Sequence, residues 1–174
     1  FQAHPYGLPN IGWMSDISNF SADDARAFYK TYYVPGNMVG VLVGDFHTPD
    51  AIKLVEKYFG KYPAGPSPPE ILTREPKQEG ERRTNIEFDA EPQVLIGFHK
   101  PTAPHRDDYV FDLIHGLLTD TGRSSRLYKR LVKKDRIASS VSTAGGPGAR
   151  YNNIFYFEAT PIHPHTTKEI EKAI

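Results

Sequence analysis

Cysteine is absent from all 174 residues, which excludes disulfides, thiol catalysis and thiolate metal sites at once. No excess of either charge is present. Lys plus Arg and Asp plus Glu each number 21, so nothing marks a dedicated polyanion binder, and no nucleic-acid partner is expected. Long hydrophobic runs are missing too, none approaching the roughly 20 residues of a membrane-spanning helix. No address signal stands on these residues, which leaves periplasm and cytoplasm equally open. What remains is a globular composition, 39% hydrophobic with ten Tyr and ten Phe, long enough for one ordinary domain or parts of two.

The common catalytic signatures are also missing. None of the seven histidines (His4, His47, His99, His105, His115, His163, His165) belongs to an H-E-x-x-H or H-x-x-E-H arrangement. There is no G-x-S-x-G, P-loop or dinucleotide fingerprint, and "GGPGAR" opens no helix, so it reads as a hairpin turn. His163 and His165 flank Pro164 and form an alternating pair, for which a solvent-exposed turn before a helix is favoured over chelation. His115, with Asp108 and Asp112, falls off the apolar stripe of its helix and reads as part of a solvated face. The basic run "KRLVKK" suits the negative end of a helix dipole better than nucleic acid. No catalytic residue and no metal ligand is assigned on this sequence.

Periodicity gives the elements. "SADDARAFYKTYYV" predicts a helix, with Ser21 and Asp24 as an acidic capping box. "MVGVLVGDF" predicts a buried strand around Val39–Gly44. "HTPDAIKLVEKYFG" predicts a helix with Thr48 as N-cap and Gly60 as terminator. Residues 61–80 hold five of the fifteen prolines and predict a connector. Beyond it, "RRTNIEFDA" and "PQVLIGFHK" read as strands. A helix over Asp107–Leu118 follows, with Val110, Leu113, Ile114 and Leu117 as its stripe. A second helix, "GRSSRLYKRLVKKD", is anchored by Leu127 and Leu131, and "IASSVSTAG" and "NNIFYFEAT" are two further strands. The order predicts an α+β fold with largely antiparallel sheets packed against helices. Thr166 and Glu169 cap a helix that stops after about two turns, too short to be stable alone, so a longer protein is expected.

In order along the chain, "HPYGLPNIG", "SADDARAFYKTYYVPGNM", "VGVLVGDF", "VEKYFG" and a proline-rich connector resemble the pitrilysin/insulinase-type zinc metallopeptidases, which include mitochondrial processing peptidase and bacterial relatives. "PQVLIGFHKP", a helix and "GRSSRLYKRL" resemble the opening of the next structural repeat of that family. The resemblance implies a LuxS/MPP-like repeat architecture. Residues 1–62 would be the carboxyl-side part of the first, zinc-bearing type of repeat, 63–80 the linker, and 81–174 the start of the second repeat. It also implies a metalloendopeptidase that hydrolyses peptides or small unfolded proteins in an enclosed cavity, with Zn2+ in the intact enzyme and none in this fragment. The family's H-x-x-E-H helix and distal glutamate would lie before "HPYG". Phe1–Gly12 resembles the loop after that glutamate, which places His4 and Tyr6 beside the substrate cavity, although a purely structural loop is the favoured reading. A non-catalytic peptide-binding or scaffold subunit is the alternative.

In the family one repeat supplies an Arg and a Tyr to the substrate, in a pattern resembling L-R-x-x-x-x-x-G-Y. The nearest stretch here, "LVKKDRIAS", puts Val132 in place of the Arg, Ala138 in place of the Gly and Ser139 in place of the Tyr. Valine has no guanidinium fork and serine lacks a phenol's reach. A second repeat or partner subunit is therefore expected to supply the Arg/Tyr pair.

Overall fold

Proline punctuation after Gly60 leaves residues 63–93 without regular secondary structure, and the chain gathers on either side of a boundary within this stretch. The computed structural model describes residues 1–174. Its backbone forms two units, Gln2–Glu75 and Pro76–Ile174, the latter also taking in Phe1. No helix is long and apolar enough to cross a membrane.

The Gln2–Glu75 unit carries a 3-10 turn at Pro5–Gly7 and three helices, α1 (Met14–Asn19), α2 (Ala22–Tyr32) and α3 (Thr48–Phe59). Ser21 caps α2 as expected. Its hydroxyl accepts from the Asp24 N–H at 3.2 Å, and the Asp24 carboxylate accepts from the Ser21 N–H at 2.9 Å. That pairing holds the Asp24 carboxyl below its ordinary value, the Ser21 hydroxyl contributing most. In α3 the N-cap is His47 rather than Thr48, which is the first helical residue. Pro49 follows it in the first turn, where a missing N–H is harmless.

The expectation of a buried strand in this unit is corrected. Residues 38–43 form no strand, although Met38 is extended at φ −113°, ψ 144°, and Val39 and Val43 are each 92% exposed. A strand exists only through ladder hydrogen bonds to a neighbour, and no segment of Gln2–Glu75 provides one. Likewise α2 and α3 leave Phe28, Tyr29, Val55 and Phe59 exposed. His4 is the one buried residue among 2–75. This unit has amphipathic elements without a core of its own.

The Pro76–Ile174 unit is built differently. Strands β1 (Val94–Lys100), β2 (Ala138–Gly146) and β3 (Asn153–Pro161) form an antiparallel sheet in the order β1-β3-β2. Val94 lies opposite Ala159 and Lys100 opposite Asn153. On the other side of β3, Val141 lies opposite Ala159 and Gly146 opposite Ile154. A bulge between Ala138 and Ser140 interrupts β2. The expected strand over 82–90 does not form. Helix α4 (Arg106–His115) runs into a π-helical turn at Gly116–Asp120, a second π-helical segment spans Tyr128–Lys134, and α5 (Thr167–Ala173) ends the chain. Thr166 and Glu169 form the capping box of α5.

The core of this unit lies between one sheet face and these helical segments. Leu127, Leu131, Ala138, Ala159 and Ile170 are buried together, with Val94, Leu118, Val141 and Phe157 packed around them. Along β3, Phe155, Phe157 and Ala159 share this face, as alternation requires. The expected stripe of α4 is corrected: Leu113 and Leu117 are 69% and 61% exposed. The helix instead turns Phe111 and His115 to the sheet, where Phe111 packs 5.4 Å from Phe155.

Candidate functional site

The stretch singled out by sequence, Phe1–Gly12, is shaped by its own prolines. His4 is extended at φ −68°, ψ 141°, and Pro5 starts the tight turn that brings the Gly7 N–H to the His4 carbonyl at 3.0 Å. The His4 ring turns back on this turn. Its Nδ1 accepts the Tyr6 N–H at 3.1 Å, which places the proton of the neutral ring on Nε2. The His4 and Tyr6 rings meet edge to face at 4.6 Å. Both predicted residues are thus brought together, and they shape a knuckle of chain.

A third residue, not anticipated from sequence, fixes this knuckle. The Glu75 carboxylate accepts from the N–H groups of Gln2, Ala3 and His4 at 2.7, 2.9 and 3.1 Å. Desolvation works to raise the Glu75 carboxyl. The N–H groups of Ala3, His4 and Gln2 outweigh it and hold the group at about 2. A carboxyl whose native value lies below its unfolded one, 4.5 here, contributes order that is fully present above that value. The contribution is lost as pH falls through about 2. Glu75→Gln is expected to speed amide hydrogen exchange at Ala3 and His4 at neutral pH, and strong acid is expected to do the same to the unsubstituted chain. Unchanged protection in the variant would show that the knuckle holds itself.

In the Pro76–Ile174 unit the polar groups converge on the sheet. Lys100, 8% exposed at the end of β1, pairs with Asp108 in the first turn of α4 and lies over the Phe111 ring at 5.5 Å. Two turns further on, His115 Nδ1 is 2.7 Å from the hydroxyl of buried Thr143 on β2, and Thr119 bridges both groups. Its Nε2 lies 3.6 Å from Asp120. The expectation that His115 and Asp108 belong to a solvated face is therefore corrected. Polar side chains here face the sheet because partners wait on β1 and β2, which helical periodicity alone does not reveal.

His163 is exposed, and His165 lies 3.3 Å from Glu169, the capping-box acid of α5. The Thr166 N–H, then His165 and the Thr166 hydroxyl, hold that carboxyl low. Val132 sits in the π-helical segment packed against the core, and Ser139 stands in the β2 bulge, its hydroxyl donating to the Thr160 carbonyl at 3.2 Å. Arg136, between them, has φ 53°, a left-handed backbone that glycine adopts without cost. No three His, Asp or Glu side chains converge as a metal site. The residues present therefore do not fit a zinc ion, which needs three protein ligands and an open position to act on a peptide.

Comparison with known proteins agrees with this geometry. Residues 19–174 match the peptidase M16 inactive domain. Zinc protease PqqE of Helicobacter pylori is 34% identical over 145 residues, covering 79% of this chain and 32% of the relative. The uncharacterized zinc protease YmfH of Bacillus subtilis is 28% identical, covering 82% and 35%. Among solved structures, a protease from Helicobacter pylori superposes with a TM-score of 0.87 at 29% identity, over 99% of this chain and 42% of that one. The chain thus spans about a third of the length of the curated relatives it matches. The chain belongs to the peptidase M16 inactive-domain family, within the pitrilysin/insulinase-type group that its motifs resemble.

Proposed function

We propose that this chain is the non-catalytic wall of a zinc-dependent metalloendopeptidase, with the zinc and its general base supplied by sequence outside these residues. The observation that carries the reading is the match over 19–174 to an inactive peptidase domain, in a chain covering a third of relatives named zinc proteases. In this reading residues 1–62 close the first repeat, 63–80 link, and 81–174 open the second. His4 and Tyr6 border the substrate cavity and shape its wall, their backbone N–H groups and the His4 Nδ1 being held by the turn and the Glu75 clamp.

The substrate is an extended peptide, and the sheet supports its capture. Strand β2 stands at an edge of the sheet, free of charged residues and proline from Ala138 to Gly146, and bears Ser139, Ser140 and Ser142. Such an edge can take a peptide by strand addition, with small hydroxyl side chains leaving room for many sequences. A second repeat or subunit contributes the Arg and Tyr that Val132 and Ser139 replace. That same replacement favours the second reading, a peptide-binding scaffold subunit without catalysis.

The test compares the 174-residue chain with the intact polypeptide in zinc content after dialysis and in cleavage of unfolded peptides. The chain alone is expected to hold well under one zinc and to cleave nothing, while the intact protein cleaves and loses activity to a chelator. An intact polypeptide with neither zinc nor activity would establish the scaffold reading instead. Stoichiometric zinc and chelator-sensitive cleavage by the 174 residues alone would overturn both.

A further inference from the structure

In a protein with no net charge, seven of the 21 lysines and arginines fall between Arg123 and Arg136. Asp135 is the only acid among them, and Arg130 takes it at 3.6 Å. The other six cations are exposed and form no ion pair. Helical spacing lines most of them up. Leu127 and Leu131 point into the core, while Arg126, Lys129, Arg130, Lys133 and Lys134 recur every three to four residues on the outward side. The stripe follows the helical run 126–134 for roughly 12 Å.

The helix dipole explains only part of this stripe. It favours Lys133 and Lys134 in the last turn. It opposes Arg123, Arg126 and Lys129, which stand toward the positive end. Arg136 is held against a cost of another kind. Its φ of 53° suits glycine, so this position carries a guanidinium despite a conformational penalty. Local helix chemistry therefore does not account for the charge gathered here.

What the face lacks selects its partner. No exposed large hydrophobic residue lies among these cations, since Leu127 and Leu131 are buried and Tyr128 and Val132 are half-buried. Interfaces between polypeptides are anchored by aromatic and apolar side chains and are depleted of lysine. A stripe of bare cations has the chemistry of a surface that stays in solvent when the rest of a longer protein is in place. The cations are also strung along the outside of a helix and do not converge on a small anion. A helix entering a nucleic-acid groove reaches phosphates on both of its flanks, whereas the inner side of this one packs against β2. A flat layer of negative charge needs neither an anchor nor a cleft.

We infer that the Arg123–Arg136 face is a peripheral docking surface for anionic lipid, which holds this unit against a membrane by charge alone. Nothing inserts, because the apolar side of the helix is already spent on the core. The inference does not rest on the peptidase reading.

Co-sedimentation of the intact polypeptide with vesicles of mixed phosphatidylglycerol and phosphatidylcholine tests it. Binding is expected to rise with the phosphatidylglycerol fraction, to vanish on pure phosphatidylcholine and to fall steeply as salt shortens the screening length. The triple variant Lys129→Gln, Lys133→Gln, Lys134→Gln is expected to bind about a hundredfold more weakly, at about fivefold per charge. The matching triple change to arginine keeps the charge and should keep the binding. Arg136→Gly separates charge from structure. It should weaken binding about fivefold and leave the urea midpoint unchanged or raised, because glycine accepts the left-handed backbone freely. Equal binding to pure phosphatidylcholine, or indifference to the glutamine variant, would overturn the proposal. Tighter binding to poly-glutamate or duplex DNA at equal charge concentration would do the same, assigning the face to an acidic polypeptide or a nucleic acid. Vesicle binding by the 174 residues alone that the intact polypeptide lacks would also overturn it, since the face is then covered.

Discussion

Leu131→Ala is expected to cost the Pro76–Ile174 unit about 2–5 kcal/mol, a large share of the stability of an ordinary domain. Leu131 is fully buried in the π-helical segment and meets Leu127, Ala138, Ala159 and Ile170. Truncation removes its transfer energy and leaves a hole. The neighbours cannot collapse into it easily, because Ala138 is held opposite Pro161, and Ala159, on β3, is held opposite both Val94 and Val141. Hydrogen exchange of the Phe155–Ala159 amides, read in the unsubstituted and variant chains, gives the loss directly. A change within the ±0.5 kcal/mol typical of surface substitutions would mean that the core is not where it is placed here.

Lys100→Met is the second large effect, expected at about 3 kcal/mol. The substitution keeps the stem and deletes the charge, so Asp108 is left in a mostly buried place without its counter-ion. Asp108 retains some exposure (16% of its side chain), which puts the cost at the low end of the range for breaking a buried pair. The double variant Lys100→Met with Asp108→Leu removes both charges and is expected to recover most of the loss. Urea midpoints of the two single variants and the double variant give the coupling between the residues. Additive losses would show that the two charges act independently, contrary to their contact in the structure.

The sequence was legible where local rules decide. The capping boxes at Ser21 and Thr166, the stop at Gly60 and the strands β1, β2 and β3 follow from residue pattern alone, because caps, turns and alternation are set within a few residues. The core anchors Leu127 and Leu131 were legible for the same reason. Misreadings cluster where a partner decides. Helix α4 carries two candidate faces, and the more apolar one, with Leu113 and Leu117, is the one left in solvent. The chosen face is fixed by Lys100 and Thr143, which reach α4 only after β1 and β2 are in place. The valine run at 39–43 predicts a strand, and none forms there, because no neighbour within its unit completes it. Helix α1 lacks a side-chain cap and a clear period, so nothing announces it.

The candidate site was legible by halves. His4 and Tyr6 stood out because a histidine, an aromatic and two prolines within six residues is unusual chemistry for a connecting loop. Glu75 did not stand out, being a single acid in a charged connector, and its partners are 71 to 73 residues away. The replacement of Arg and Tyr by Val132 and Ser139 is visible only against the family's pattern. The left-handed backbone at Arg136 has no composition signal at all.

The bulge in β2 changes the phase of that strand. Ala138 and Val141, an odd number of positions apart, both face the core, because the extra residue at Ser139 resets the alternation between them. The strand therefore has two reading frames, one for its first residue and one for the rest. Deleting Ser139 would merge them: Ala138 and Val141 would then stand two positions apart, so ordinary alternation would keep both, with Thr143 and Gly145, on one face, and the strand would lose the bend of the bulge and not its sidedness. In this strand the count of residues, more than their kind, decides which side of the sheet each one serves.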